Sequence, residues 1–282
     1  MGLPPVEVGG SRAAPWPEEP GPAYGRDRSS SSSLEYGTKL GGVSRGYWGI
    51  NLFPDAGEAM VTFHSAYRSR STGRGGDPED PEESRRVAAR RARTRVRRYC
   101  AANRLNRLAT LTYRGTGCHD ALRLREDVGI FFRRLRQGIG GAAFPYLWTD
   151  EWHKTGHGLH AHFAVGRFVP RTKIEYAWPH GFVHIKLLGD LSYAATSLDQ
   201  ARKAARYLSK YVGKAFAEKK QGLHRYEVAQ GFAPRCEGIF GRSSDDMVAW
   251  AEERMGRAAD VVQPSAEWEQ YRGPSAVFLS WN

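Results

Sequence analysis

The feature that most restricts the fold of this chain is a His-Ala-His triplet inside an apolar run, Leu159 to Val165. Side chains alternate between the two faces of a β-strand, so His160 and His162 must share one face while the alanine between them points to the other. A second run with strand character, Tyr146 to Trp152, precedes it. The short glycine-containing turn between the two runs predicts an antiparallel hairpin.

Further periodic segments surround this hairpin. The predicted elements are a helix over 84–106, a strand over 108–113, a helix over 122–137, a strand over 182–188, a helix opened by the capping box Ser197–Gln200 and ending near 216, and a helix over 245–255. The order strand, helix, strand, strand, strand, helix predicts an α+β fold. We expect an antiparallel sheet with helices on one face, of the ferredoxin-like or RNA-recognition-like type.

Composition divides the chain into three parts. Residues 1–84 are rich in Pro, Gly and Ser and are predicted to be largely disordered or loosely attached, although 47–67 is more apolar and is typical of a short hairpin or arm. Residues 85–222 contain the elements around the hairpin and form the expected main domain. Residues 223–282 form a C-terminal extension that is predicted to be partly helical.

Charge points to a polyanionic partner. The formal net charge is +12 and the pI is about 9.8, which favours nucleic acid over a charge that serves only solubility. The segment from 85 to 98 holds eight arginines, and phosphate contact is favoured over a merely solvated helix face. The predicted DNA-binding residues in it are Arg90, Arg91, Arg95, Arg97 and Arg98.

Cysteine usage and hydropathy predict a cytoplasmic protein that does not enter a membrane. The three cysteines are widely spaced and form no CxxC pair, so neither a zinc knuckle nor a disulfide framework is indicated. No apolar run approaches the roughly 18 residues that span a bilayer, and the N-terminus lacks the apolar core of a signal peptide.

The histidine pair has a carboxylate nearby. If the hairpin forms in the right register, Glu151 lies across from His160 and His162 on one face. Two imidazoles and a carboxylate suit Mn²⁺ or Mg²⁺ at a phosphoryl group, and Zn²⁺ stays an alternative. His153 and His157, in the same hairpin, are rival ligands. Ordinary surface histidines are the other interpretation.

The last helix of the predicted domain carries two tyrosines on one side. Tyr207 and Tyr211 are four residues apart and therefore neighbours on a helix surface, as are Lys210 and Lys214 on an adjacent face. A phenol with a pKa near 10 is a weak nucleophile unless a cation assists it, and a lysine follows each tyrosine three residues on. The alternative is that both tyrosines are core anchors with hydroxyls at the rim.

Taken together, these motifs resemble the HUH endonucleases, in particular the rolling-circle replication initiators of bacterial plasmids and single-stranded DNA phages. Leu108–Thr112 is similar to the first-motif strand, and His160-Ala161-His162 to the His-hydrophobe-His signature, with Glu151 where related initiators often carry the third ligand. Tyr207–Lys214 resembles the YxxKYxxK motif of phage initiators, and its second half, Lys210–Lys214, the single-tyrosine motif of plasmid initiators.

The resemblance implies a ferredoxin-like HUH nuclease fold, a divalent metal held by Glu151, His160 and His162, and a tyrosine nucleophile, with Tyr211 first, Tyr207 second, and Lys210 and Lys214 beside them. It also implies origin DNA and single-stranded DNA as substrates, and a 5′-phosphotyrosyl intermediate. A host helicase and host replication proteins are implied as partners, because no GxxxxGK[ST] loop occurs in the chain. Two other functions stay open: an HUH transposase or relaxase, and a basic DNA-binding regulator without nuclease activity.

Overall fold

The computed structural model describes residues 46–65, 80–186, 188, 194–217, 226–269, 271 and 273–282, and for 213–217 the backbone alone. Most of the region 1–84, which was predicted to be largely disordered or loosely attached, lies outside these ranges, namely 1–45 and 66–79.

Ten strands and five α-helices occur in the described ranges. The strands are β1 (Gly46–Phe53), β2 (Glu58–Ser65), β3 (Arg107–Tyr113), β4 (Tyr146–Trp152), β5 (Leu159–Val165), β6 (Gly181–Lys186), β7 (Glu227–Val228), β8 (Phe240–Gly241), β9 (Val261–Pro264) and β10 (Ala276–Ser280). The helices are α1 (Pro81–Ala102), α2 (Ala121–Gly138), α3 (Arg171–Ala177), α4 (Ser197–Ala217) and α5 (Ser244–Met255).

The strands form two five-stranded antiparallel sheets. The histidine sheet has the strand order β6-β3-β5-β4-β7, and the terminal sheet has the order β8-β1-β2-β10-β9. The predicted α+β class with an antiparallel sheet is thereby confirmed. The hairpin of β4 and β5 also has the predicted bounds.

Helices cover both faces of the histidine sheet, whereas the sequence-based prediction placed them on one. The central strands carry apolar side chains on both faces, so each face needs cover. α2 and α3 pack on the face with Leu111 and Phe163. α1 and α4 pack on the opposite face against Leu108 and Ala164.

Capping contacts explain where α1 and α4 begin, in each case earlier than predicted. α1 begins at Pro81, three residues before the expected start, because the Asp80 carboxylate accepts hydrogen bonds from the backbone N–H groups of Glu82 and Glu83. At α4 the capping box uses Thr196 and Asp199, one residue earlier than predicted: each side chain accepts from the backbone N–H of the other. The short helix α3 was not predicted.

The terminal sheet joins the two ends of the chain. β2 pairs with β1 and β10, and β1 also pairs with β8. α5 packs on one face of this sheet, where Ile50, Val61 and Leu279 are buried. The predicted boundaries at 84 and 223 therefore assign strands of one sheet to two different parts of the chain. Hydrophobic pattern alone does not reveal which distant strands pair.

The turn before β5 fixes the position of the histidine strand. The Leu159 N–H donates to the Cys118 carbonyl at 2.7 Å. Gly158 has φ +94°, and a Cβ there would lie 2.3 Å from the Cys118 carbonyl oxygen. The backbone of the turn can approach that of the preceding loop only because residue 158 has no side chain.

We expect Gly158→Ala to destabilise the fold by about 2–3 kcal/mol, through positive-φ strain plus a backbone clash. Gly156→Ala is the matched control, because Gly156 has φ +79° in the same turn but open space around it. It should cost only about 1 kcal/mol. Urea unfolding measures both values, and equal losses would show that the close approach does not matter.

Candidate active site

The site lies on the face of the histidine sheet that faces α1 and α4. Strand register aligns His160 with Thr112 on β3 and with Glu151 on β4. One step along the strands, His162 is aligned with Thr110 and Thr149. The register thus places Glu151 and both histidines on one face, as predicted.

His162 is buried and held from two sides. Its Nε2 lies 3.1 Å from Glu151 Oε2, and its Nδ1 lies 2.9 Å from Thr110 Oγ1. An ionised carboxylate only accepts hydrogen bonds, so Nε2 carries the proton and donates to Glu151. For a neutral ring, Nδ1 then accepts from the Thr110 hydroxyl. Both contacts fix the plane of the imidazole.

His160 has one ring nitrogen without a partner. Its Nδ1 lies 3.3 Å from Thr112 Oγ1, while Nε2 is buried and forms no hydrogen bond. Burial and the neighbouring histidines, His153 first, lower the pKa of His160 to about 4. The ring is therefore neutral at pH 7. A buried imidazole nitrogen that lacks a partner is costly unless a ligand satisfies it.

The rival ligands have other contacts. The ring of His153 stacks on His160 with centroids 4.5 Å apart, and its Nδ1 contacts Thr155 Oγ1 at 2.6 Å. His157 Nε2 donates to the Tyr113 carbonyl at 2.9 Å. These bonds hold the turn next to the site, and His157 also meets the His160 ring edge-on, with centroids 6.4 Å apart.

Both tyrosines of α4 point onto the histidines. The Tyr211 ring stacks on His162 with centroids 3.9 Å apart and planes 14° from parallel. Tyr207 meets the same imidazole edge-on at 6.3 Å. The Tyr211 hydroxyl donates to the Tyr207 hydroxyl at 2.7 Å. Both tyrosines therefore touch the His-Ala-His strand, and Tyr207 also packs against the core between the sheet and α4.

The phenol of Tyr211 is held in its protonated form. Burial, the hydrogen bond to Tyr207 and the Glu151 carboxylate raise the pKa of Tyr211 above its ordinary value of 10. Lys210 is exposed on α4, and the side chain of Lys214 lies outside the described part. Among the described side chains, Lys186 touches the pair: its Nζ lies 5.0 Å from the centre of the Tyr207 ring.

The side chains on this face include the donor types of a divalent-cation site. In the part of the chain that the structure describes, no group of three or more His, Cys, Asp or Glu side chains has its donors gathered closely enough to hold an ion as they stand. Glu151 instead accepts from His162. The unpartnered His160 Nε2, with His162 and Glu151 on the same face, gives the mixed nitrogen and oxygen set that Mn²⁺ and Mg²⁺ accept in phosphoryl sites.

The predicted DNA-binding arginines separate into two groups. Arg97 Nε contacts Glu58 at 3.1 Å, and Arg98 pairs with the same carboxylate, so both join α1 to the terminal sheet. The structure thus gives Arg97 and Arg98 an internal role. Glu58 is far away in sequence, so the local pattern did not indicate this pairing, and the DNA-binding role of both arginines stays a prediction. Arg95 is exposed, and Arg90 and Arg91 are half-buried.

Three residues of the site were missed at the level of sequence. Thr110 and Thr112 contact the Nδ1 atoms of the two histidines, and Lys186 covers Tyr207. The alternation in Leu108–Thr112 already places both threonines on one face. Only the strand order shows that this face belongs to the neighbour of the histidine strand.

Comparison with known proteins links this site to DNA replication. Residues 106–216 match the family described as Replication-associated protein ORF2/G2P. The match covers less than half of the chain, from the start of β3 to the end of α4. It includes Glu151, both histidines and both tyrosines, but not the predicted DNA-binding arginines of α1. This part of the chain is therefore similar to replication initiator proteins, which supports a role in DNA replication with DNA as the partner.

No curated protein and no solved structure matches the chain at a significant level. Among the described residues, no helix is both long enough and apolar enough to span a bilayer.

Proposed function

We propose that this protein is an HUH-type endonuclease that initiates rolling-circle replication. It nicks single-stranded DNA at an origin and later rejoins the ends through a 5′-phosphotyrosyl intermediate. The single observation that carries the proposal is the stacking of Tyr211 on His162, on the face that also presents His160 and Glu151. A nucleophile and three ligand-type side chains meet there, in the region that is similar to replication-associated proteins.

In this proposal Tyr211 Oη attacks the scissile phosphorus. A bond forms between Oη and phosphorus, and the bond from phosphorus to the 3′ oxygen breaks. In the overall balance, the leaving 3′ oxygen gains the proton that the phenol loses, which yields the 3′-OH that primes synthesis. No outside energy source is needed for rejoining, because the phosphotyrosyl bond keeps the energy of the cut phosphodiester.

Glu151, His160 and His162 would hold the divalent cation. Mn²⁺ or Mg²⁺ bound there would neutralise charge on the scissile phosphate and orient it. Thr110 and Thr112 position the imidazoles: with Nε2 turned to a cation, Nδ1 carries the proton and donates to the threonine hydroxyl. Burial and the hydrogen bond to Tyr207 raise the pKa of Tyr211, so a cation at the scissile phosphate would have to favour loss of the phenol proton.

The test uses the full chain and single-stranded oligonucleotides that tile the DNA on either side of its coding sequence. With Mn²⁺ or Mg²⁺, we expect a protein–DNA adduct that survives SDS, and EDTA should abolish it. His160→Ala should lower the rate of adduct formation about 100-fold, while most DNA binding remains, because affinity comes chiefly from phosphate contacts.

His180→Ala is the matched control, since this half-buried histidine contacts Asp127 on α2 and no candidate ligand. It should cut at the wild-type rate. Full cutting by the His160→Ala, His162→Ala double variant in EDTA would contradict the metal assignment. Tight binding with no adduct from any oligonucleotide would instead favour a DNA-binding regulator.

A further inference from the structure

One strand next to the site presents an exposed row of side chains. Phe182, His184 and Lys186 alternate along β6 onto the face that carries His160 and His162. All three are exposed, and Phe182 is 66% accessible. An aromatic ring that is exposed to water on the same face as the site is the type of apolar surface that a bound ligand buries favourably.

Burial along the strands shows from which side a substrate reaches this face. On β3 the side chains change from buried Leu108 to half-buried Thr112, and on β5 from buried Ala164 to half-buried His160. α4 therefore covers one end of the face and leaves the other end accessible. The residues of the accessible end form one cross-strand row: Phe182, Thr112, His160 and Glu151.

Phe182 and the candidate cation ligands are two strands apart. β6 is separated from β5 by β3 alone, so the Phe182 and His160 backbones are about 10 Å apart. A DNA strand whose phosphate is held at His160 and that follows this accessible row must pass over Thr112 and reach Phe182. Lys186 adds a positive charge on β6, the β-strand that carries Phe182.

We propose that Phe182 is a stacking platform for an unpaired base that flanks the scissile phosphate, with His184 and Lys186 facing the backbone of the same strand. This inference rests on the proposed nicking function for the identity of the phosphate. The ligand class is single-stranded DNA, because a base exposes its π-face only when it is unpaired. The sequence preference is weak, because every base has such a face.

The experiment measures equilibrium binding without metal, in a Tyr211→Phe background that forms no covalent link. The probe is a short oligothymidylate with one 2-aminopurine, moved step by step along the strand. Phe182→Ala should weaken single-strand affinity by between about 5-fold and about 150-fold. It should also remove the fluorescence quenching of the 2-aminopurine that lies over the ring. Phe182→Trp should restore both.

Phe168→Ala is the matched control. Phe168 is 73% exposed and follows the far end of β5, three residues beyond Val165. Its loss should leave both readouts unchanged, and affinity for a duplex of the same length should be equal in all variants. Equal affinities for Phe182→Ala and Phe168→Ala would overturn the platform, as would a change in oligomeric state without a change in DNA affinity.

Adduct formation by the wild-type chain is measured separately. If it fails while Phe182→Ala still weakens single-strand binding, the nicking function is wrong and the stacking site stands. If adducts form but Phe182→Ala does not change single-strand binding, the stacking site is wrong and the nicking function stands.

Discussion

Tyr211→Phe should lower the rate of covalent adduct formation by about three orders of magnitude or more. The variant keeps the ring that stacks on His162 and removes only the hydroxyl, so the loss of activity cannot be assigned to lost packing. We expect single-strand affinity and the unfolding free energy to change little. Gel electrophoresis of SDS-treated reactions measures the adduct, and peptide mapping identifies the tyrosine that carries the DNA.

Tyr207→Phe is the informative partner of this variant. It keeps the aromatic contact with Lys186 but removes the acceptor of the Tyr211 hydrogen bond. First cutting should therefore survive, because one cause of the raised pKa of Tyr211 is gone. If both tyrosines act in turn, repeated strand transfer should fail. DNA found only on Tyr207, or on neither residue, would contradict the assignment of Tyr211 as first nucleophile.

The second large effect is expected far from the site, at Glu58. This carboxylate is 3% exposed and is paired with Arg97 and Arg98. Glu58→Gln should lower the unfolding free energy by about 3 kcal/mol or more, because it removes the counter-charge that Glu58 supplies to two partly buried guanidinium groups. Glu83→Gln is the control, since its pair with Arg86 is exposed and should be worth less than about 1 kcal/mol.

The effect of Glu58 should depend on pH. Burial alone would raise the pKa of Glu58, but Arg97 and Arg98 outweigh it and lower the pKa from 4.5 to about 2. A carboxyl with a depressed pKa stabilises the fold fully when the pH is above the pKa of the same group in the unfolded chain. For Glu58 this contribution is lost as the pH falls from about 4.5 to about 2. Urea unfolding of the wild type and of Glu58→Gln should therefore show a difference in unfolding free energy at pH 7 that becomes smaller at pH 3. A difference that stays constant would mean that the ion pair is not its source.

Local pattern was sufficient for the elements around the site. Alternation predicted β4 and β5 to the residue, and helical spacing predicted that Tyr207 and Tyr211 are neighbours. These features depend on residues close in sequence, where the periods of 2 and 3.6 hold. The face shared by His160 and His162 follows from the same alternation, before any strand partner is known.

Contacts between distant segments could not be predicted in this way. Arg97 and Arg98 have the pattern of a DNA-binding helix, and their carboxylate partner is 39 and 40 residues away. The strands β1 and β2 have a weak hairpin pattern, and their sheet is completed only by the end of the chain. Which charges meet and which strands pair depends on the packing of the whole chain.

The sequence by itself therefore determined the class of fold and the histidine hairpin, since both follow from local periodicity. The side of the sheet that carries Glu151 also required the register of that hairpin. Tertiary structure alone decided that Tyr211 stacks on His162, that Thr110 and Thr112 hold the imidazoles, and that burial raises the pKa of the Tyr211 phenol. The physical reason is that burial and hydrogen-bond partners depend on which elements pack together, and a one-dimensional pattern does not contain that information.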